Sequence, residues 1–325
     1  MRVAGNRSAL PFSSDDPTVL ITLSLLVLGL ALLFAGGEAL VRGGVSLALR
    51  FGLSPLIVGL TVVAFGTSLP ELLVSVQAAL SGSPDIAVGN VVGSNIANIL
   101  LILGATAVIA PITMAFKTVS RDLVIMIAAA VVMLGLGWAG LIERWMGLAM
   151  LAALIAYLFF ACRNTPCEED PSDTSMSKLL WWQETLAILG GLVALMVGAN
   201  LLVGSATDIA RTFGVSEAVI GLTIVAVGTS LPELAASLVA AIRRQSDIAI
   251  GNVVGSNIFN ILAILGITAM IEPVTVSPEM TGMDIPVMIG VSLLLTGLSF
   301  ALNGLGRIVG AGFLGLYGSY VVYLY

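Results

Sequence analysis

The sequence predicts an all-α membrane protein with ten transmembrane helices, arranged as two inverted five-helix repeats. Three observations support this fold class. Of the 325 residues, 58% are hydrophobic and only 10% are charged, a composition far more apolar than that of a soluble domain. The apolar residues form ten runs of membrane-spanning length, and a long motif of the first half of the chain returns in the second half.

The apolar runs define the predicted helices. A transmembrane helix needs roughly 17 to 25 predominantly apolar residues. The 36 glycines are spread through these runs, as expected where membrane helices pack closely through small residues. The helices are predicted at 18–49, 54–80, 86–109, 121–139, 144–161, 181–210, 216–242, 248–270, 284–302 and 305–324.

These helices divide the chain into four segments. Residues 1–17 form an N-terminal tail, 18–161 the first five-helix repeat, 162–180 an acidic loop, and 181–325 the second five-helix repeat. The tail resembles the start of a secretory signal. However, the apolar run after it continues past Glu38 without a convincing cleavage site, so we interpret it as part of the protein.

The basic residues predict the orientation in the membrane. Nine of them lie in or near the loops that follow odd-numbered helices, and four lie on the opposite side. Cytoplasmic loops are enriched in Lys and Arg, so we expect the loop 162–180 in the cytoplasm and both termini outside. Arg2 and Arg7 argue mildly against this orientation. We expect an integral protein of a prokaryotic inner membrane.

The chain contains an internal repeat. Residues 54–98 align with 216–260 at a shift of 162 positions, and 28 of the 45 pairs are identical. The shift passes five predicted helices, an odd number, so the second half crosses the membrane in the opposite orientation to the first. Inverted repeats are typical of secondary transporters, whose binding site lies at the bilayer midplane where the repeats meet.

The most informative part of the repeat is the hexapeptide GTSLPE, at 66–71 and again at 228–233. Pro70 has no N–H for the carbonyl of Gly66, so the helix must kink or open between them. Pro232 and Gly228 repeat this arrangement. Carbonyl groups freed within a bilayer are tolerated only where protein, water or an ion provides a partner.

Oxygen-bearing side chains surround each predicted break. Hydroxyl and carboxylate oxygens are ligands of hard cations such as Ca²⁺. An intramembrane glutamate is a functional candidate in its own right, since its insertion costs roughly 2.5 to 3.5 kcal/mol. These candidate ligands are Thr67, Ser68 and Glu71 in the first half and Thr229, Ser230 and Glu233 in the second.

A polar stripe on the following helix adds further oxygens. Its residues are spaced four apart and therefore share one helical face, which we expect to point inward. Asn95 and Asn257 lie off this stripe, where a role as hydrogen-bonding contacts between helices is an open alternative. If the halves meet at a two-fold axis, the two glutamates carry the charge that balances one divalent ion. The stripes are Asn90, Ser94 and Asn98, and Asn252, Ser256 and Asn260.

Other features have structural interpretations. Glu38 and Arg42, four residues apart, predict an ion pair on the first helix, and Asp85 and Asp247 are predicted helix caps. Histidine is absent, which removes the commonest zinc ligand and proton shuttle. The two cysteines fall in one polar segment and give no disulfide framework. No basic patch indicates nucleic-acid binding.

GTSLPE followed by GNVVGSNIANIL, and again by GNVVGSNIFNIL, resembles the paired alpha-repeats of the sodium/calcium exchangers in the cation/calcium antiporter superfamily. The resemblance spans nearly the whole chain. It implies a ten-helix inverted-repeat transporter that moves Ca²⁺ against Na⁺ through shared sites in the middle of the membrane. It also implies that the first and sixth helices slide against the rest.

Carried onto this chain, the resemblance makes Glu71 and Glu233 the central acids. It adds the backbone carbonyls of Ala64 and Ala226 as Na⁺ ligands. Many family members, especially those that also carry K⁺, have Asp where this chain has Asn260, which disfavours K⁺ cotransport here. The loop 162–180 is too short for the Ca²⁺-sensing domains of animal exchangers. The oxygens beside the central acids would come from Thr67, Ser68, Thr229 and Ser230, with Ser94, Asn98, Ser256 and Asn260 completing the ring.

The sequence therefore predicts an antiporter that exchanges Na⁺ for Ca²⁺ by alternating access. The ions and the lipid bilayer are its expected partners, with no cofactor, no nucleic acid and no protein partner specified. A Ca²⁺/H⁺ antiporter on the same scaffold remains an alternative, because glutamates themselves can carry protons. A gated cation channel is a further alternative. An intramembrane hydrolase is disfavoured, since no nucleophile and base pair is present in the helices.

Overall fold

The structure, a computed structural model, describes residues 17–164, 178–215, 226–302 and 304–324. It is an all-α membrane protein. Six helices belong to the first half: α1 (Pro17–Phe51), α2 (Pro55–Thr67), α3 (Leu69–Leu80), α4 (Pro84–Ile109), α5 (Phe116–Ala139) and α6 (Arg144–Asn164). Six follow in the second half: α7 (Trp181–Thr212), α8 (Ala226–Gly228), α9 (Leu231–Ile242), α10 (Ser246–Ile271), α11 (Met280–Ala301) and α12 (Arg307–Leu324).

Eight of these helices are long and apolar enough to cross a membrane, and the bent pair α2 and α3 makes a ninth span. They overlap the predicted helices closely. The predicted helix 216–242 lies within the described residues only from Ala226 onward. The cysteine prediction divides in the same way, since Cys162 is a free, exposed thiol and Cys167 lies outside the described residues.

Two helices form the centre of the molecule. In the most apolar 18-residue stretch of α4, 72% of the residues are buried, and the value for α10 is 83%, against 22% in both α1 and α7. A π-helical turn interrupts each central helix, at Asn98–Leu103 in α4 and at Asn260–Leu265 in α10. The helices that carry the predicted polar stripes are therefore the most enclosed ones.

The helices α1 and α7 pack backbone to backbone through glycines. A Cβ atom added at Gly36 would lie 2.8 Å from the carbonyl oxygen of Gly191, and one at Gly29 would lie 2.9 Å from that of Gly198. Side chains at these positions would hold the helices apart, so the contact depends on small residues. Each pair is seven residues from the next, which keeps the glycines on one helix face.

Four two-residue strands connect the two halves, a feature that the sequence did not predict. The strand β1 (Ile112–Thr113) pairs antiparallel with β4 (Gly304–Leu305), and β2 (Leu141–Ile142) pairs with β3 (Val274–Thr275). The pairs precede and follow α5, a helix of 24 residues, so they lie at opposite ends of it. Each half is thus bonded to the other near both membrane surfaces.

The predicted aspartate caps were wrong. Asp85 lies in the first turn of α4, whose cap residue is Ser83, and Asp247 lies in the first turn of α10, whose cap residue is Gln245. One reason is Pro84, which favours the first position of a helix and so moves the helix start one residue earlier. Both aspartates still lie near the positive end of a helix dipole.

Candidate functional site

Both copies of GTSLPE interrupt a helix at the predicted place. In the first half, α2 ends at Thr67 and α3 begins at Leu69, with a bend of 45° between them. Ser68 lies at the break with φ −84° and ψ 7°, and Ser230 takes nearly the same conformation, φ −89° and ψ 5°. Pro70 lies in the first turn of α3, where a missing N–H leaves no helical hydrogen bond unmade. The prediction of broken helices is confirmed.

Each break places a glutamate in the first turn of the helix that follows it. Glu71 in α3 and Glu233 in α9 are both only 1% exposed. The partial positive charge at a helix N-terminus favours a carboxylate at this position. Among the described residues, neither glutamate forms an ion pair with a basic side chain. Two buried acids without a basic partner are suited to binding a cation.

The two glutamates are brought together by hydrogen bonds that cross between the halves. Ser68 Oγ donates to Glu233 Oε1 at 3.1 Å, and Ser230 Oγ donates to Glu71 Oε1 at 3.5 Å. Each carboxylate is therefore held by the serine that precedes the opposite carboxylate by one helical turn. The predicted convergence of the two acids is seen in this geometry.

Two asparagines of the predicted stripes support the glutamate helices. Asn90 Nδ2 donates to the backbone carbonyl of Glu71 at 3.0 Å and to Ser75 Oγ at 2.9 Å. Asn252 Nδ2 makes the equivalent bonds to the Glu233 carbonyl at 3.2 Å and to Ser237 at 2.9 Å. These amides satisfy carbonyls that the breaks would otherwise leave without a partner.

The lower parts of the stripes, Ser94, Asn98, Ser256 and Asn260, are all buried on α4 and α10. Several of their oxygen atoms have no hydrogen-bond partner. Among the described residues, seven buried polar side-chain atoms lack a partner, and every one is an oxygen. Five of them belong to predicted ligands: Glu71 Oε2, Glu233 Oε2, Asn98 Oδ1, Asn260 Oδ1 and Ser256 Oγ. Buried polar atoms are normally paired, so unpaired oxygens here match the needs of a hard cation.

The remaining predicted ligands lie at the edge of this group. Thr67 Oγ1 donates to Asn252 Oδ1 at 3.2 Å, and Thr229, at the equivalent position, is half-buried. The carbonyl of Ala64 accepts the N–H of Ser68 at 3.1 Å, which leaves one lone pair for a further partner. Ala226 begins α8.

Outside the site, the predicted ion pair between Glu38 and Arg42 is confirmed. The structure adds a second partner, since Arg243 Nε lies 2.7 Å from Glu38 Oε2. Glu38 thereby connects α1 to the residue that directly follows α9. The sequence gave no indication of this contact, because the two residues are 205 positions apart.

Three pairs of polar residues were missed by the sequence reasoning. Thr106 and Thr268 are fully buried hydroxyls, and Asp122 and Asp284 accept hydrogen bonds from Tyr157 and Tyr320. The third pair, Asn95 and Asn257, forms hydrogen bonds between α4 and α10, as one of the two alternatives left open for it required. Within each pair the residues are 162 positions apart, so the repeat itself was the available signal.

Comparison with protein families gives one matching model, described as the sodium/calcium exchanger protein. It matches residues 21–163 and, separately, residues 184–325. Two relatives resemble nearly the whole chain. The inner membrane protein YrbG of Escherichia coli is 36% identical, over 91% of this chain and 95% of its own. The sodium/calcium exchanger MaX1 of Methanosarcina acetivorans is 32% identical, over 85% of this chain and 91% of its own.

Solved structures of the sodium–calcium exchanger NCX_Mj have the same fold. One, from crystals soaked with 10 mM Na⁺ and no Ca²⁺, superposes with a TM-score of 0.81 and 34% identity, covering 94% of this chain and 100% of the other. Another, soaked with neither ion, gives a TM-score of 0.82 and 33% identity, covering 94% and 99%. These named relatives are transporters and not enzymes, in agreement with the prediction.

Proposed function

Because the chain belongs to the sodium/calcium exchanger family, as a membrane-bound cation/calcium antiporter, we propose that it exchanges Na⁺ for Ca²⁺ by alternating access. One central site, shared by both ions, carries this activity. The observation that supports it most directly is the group of five buried, unpaired oxygens contributed by both halves, two of them from carboxylates.

The charge of the site fits the proposed cargo. Glu71 and Glu233 together carry two negative charges when ionised, which balance one Ca²⁺ ion or two Na⁺ ions. Ca²⁺ takes six to eight oxygen ligands in flexible geometry, and the hydroxyl and amide oxygens beside the acids extend the set. Additional Na⁺ ions bind at the flanking oxygens, including the carbonyls of Ala64 and Ala226. Na⁺ and Ca²⁺ therefore compete for the same carboxylates.

Competition for one charged site explains coupling. Two ionised carboxylates without cargo would be costly to move across a dry barrier, so the protein changes its facing only with ions bound. We propose that α1 and α7 slide against the rest of the molecule during this change. Their glycine-lined contact and their low burial against other helices support this assignment.

We propose that the ten predicted helices form two inverted repeats, 18–161 and 181–325. The separate matches of the family model to 21–163 and 184–325 support this division. The strand pairs support it as well, because Ile112 and Val274 stand 162 positions apart in equivalent strands. The loop 162–180 faces the cytoplasm of a prokaryotic cell and both termini face outward.

The test is ⁴⁵Ca²⁺ uptake into proteoliposomes loaded with Na⁺, with K⁺ or at acidic internal pH. We expect an outward Na⁺ gradient alone to drive uptake. Glu71→Gln, which keeps the side-chain shape and removes its charge, abolishes the uptake. Glu279→Gln is the matched control, since it makes the same change at an exposed residue and leaves uptake intact.

Two other results would replace the proposal. Uptake driven only by the pH gradient would identify a Ca²⁺/H⁺ antiporter on the same scaffold. Ca²⁺ currents that greatly exceed carrier turnover and need no opposing gradient would identify a channel. Equal uptake by wild type and Glu71→Gln under a Na⁺ gradient would place the ion site elsewhere.

A further inference from the structure

Asn95 and Asn257 face each other where α4 crosses α10, and each is 1% exposed. The amide nitrogen of Asn95 donates to the backbone carbonyl of Asn257 at 3.3 Å, and that of Asn257 donates to the carbonyl of Asn95 at 3.3 Å. A carbonyl oxygen only accepts hydrogen bonds. Each side-chain amide must therefore present its NH₂ group to the opposite backbone.

A second acceptor fixes the same orientation. The Nδ2 atom of Asn95 also lies 3.4 Å from Met288 Sδ, and that of Asn257 lies 3.5 Å from Met126 Sδ. A thioether sulfur is a weak acceptor with no proton to donate. Rotating either amide by half a turn would place its oxygen against two acceptors. The direction of both amides is thus determined by atoms whose hydrogen-bonding character cannot change.

This direction is passed on to two predicted ligands. Asn95 Oδ1 accepts a hydrogen bond from Asn260 Nδ2 at 3.0 Å, and Asn257 Oδ1 accepts one from Asn98 Nδ2 at 3.0 Å. Because the nitrogens of Asn98 and Asn260 are engaged in this way, their oxygens point away from the contact. Both oxygens are buried and without a partner, as are one oxygen each of Glu71 and Glu233.

We propose that Asn95 and Asn257 are positioning residues for ion binding, which hold the amide oxygens of Asn260 and Asn98 toward the transported cation. The inference rests on the proposed function, since it requires that cations bind at those oxygens. An amide without this restraint would also turn its NH₂ group toward the cation, whose charge repels the N–H dipoles. A carboxylate at position 260 would need no such restraint, because both of its terminal atoms are oxygens.

A purely structural contact between α4 and α10 makes a different prediction, and a double-mutant cycle separates the two. The four proteins are wild type, Asn95→Ala, Asn260→Asp and the double variant, purified in detergent. The measurement is the Kd for ⁴⁵Ca²⁺ at equilibrium. Thermal unfolding without Ca²⁺ reports the structural contribution separately.

We expect Asn95→Ala to raise the Kd for Ca²⁺ by on the order of tenfold, as for other groups that orient a metal ligand. In the Asn260→Asp background the same substitution changes the Kd by less than about twofold. The loss of thermal stability is similar in both backgrounds. The equivalent cycle with Asn257→Ala and Asn98→Asp gives the same pattern, and it replaces the first should Asn95→Ala not fold.

Equal increases in Kd in both backgrounds would overturn the positioning role and leave only a structural contact. An unchanged Kd in Asn95→Ala would overturn it too. A wild-type protein that binds no Ca²⁺ would instead overturn the proposed function, together with the inference that rests on it.

Discussion

The two halves of the molecule place the same residues around the central site but different charges outside it. Glu71 and Glu233 occupy equivalent positions, as do Ser68 and Ser230. Glu38, by contrast, has an ion pair with Arg243, whereas the equivalent positions, 200 and 81, hold Asn and Ser. A site that receives the same ions from both sides of the membrane has reason to be symmetric. The surrounding charges allow the two facing states to differ in energy.

The largest expected effect tests the symmetry of the site. Glu71→Gln and Glu233→Gln should each reduce Na⁺-driven ⁴⁵Ca²⁺ uptake by on the order of 100-fold, because ligand charge sets the affinity of an oxygen site for Ca²⁺. Uptake is measured in proteoliposomes with the protein amount matched. If one variant kept wild-type transport while the other lost it, the two acids would not be equivalent.

The next effect concerns the contact between α1 and α7. Gly191→Ala brings a Cβ within 2.8 Å of the Gly36 carbonyl oxygen, and such overpacking should cost about 1–3 kcal/mol. Thermal unfolding in detergent measures the loss. The neighbouring Gly190 has no atom within 4 Å of an added Cβ, so Gly190→Ala is the control. Equal stability of both variants would show that the helices are not in close contact.

A smaller effect should reveal how exact the symmetry is. Ser68 Oγ lies 3.1 Å from Glu233 and Ser230 Oγ lies 3.5 Å from Glu71. A hydrogen bond to a charged group contributes about 1.5–3 kcal/mol, and the shorter bond should contribute more. Ser68→Ala therefore raises the KM for Ca²⁺ more than Ser230→Ala does. The reverse order in uptake measurements would contradict this geometry.

The smallest effect comes from the asymmetric charges. Arg243 is 45% exposed in its pair with Glu38, so the pair contributes at most about 1 kcal/mol. Arg243→Gln should change the ratio of the apparent Ca²⁺ affinities on the two membrane sides by no more than about fivefold. Arg144→Gln, which alters an exposed pair with Glu272, is the control. A ratio that stays fixed in Arg243→Gln would show that the pair does not distinguish the two facing states.

Much of this architecture was predictable because bilayer length, proline chemistry and an internal repeat act on local sequence. The breaks after Thr67 and near Ser230 and the burial of Glu71 and Glu233 follow from such rules. The π-helical turn at Asn98–Leu103 has no comparable sequence signal, since it depends on how neighbouring helices pack. The direction of the Asn95 amide was also beyond prediction, because it is set by a backbone carbonyl that lies 162 positions away.

The paired strands have a mechanical consequence. β1 and β2 stand at opposite ends of α5, and each is hydrogen-bonded to a strand of the other half. A scaffold attached at two separate points resists relative rotation of its parts more strongly than one attached at a single point. These seams therefore oppose a rocking of whole halves and leave the peripheral helices α1 and α7 as the elements free to travel.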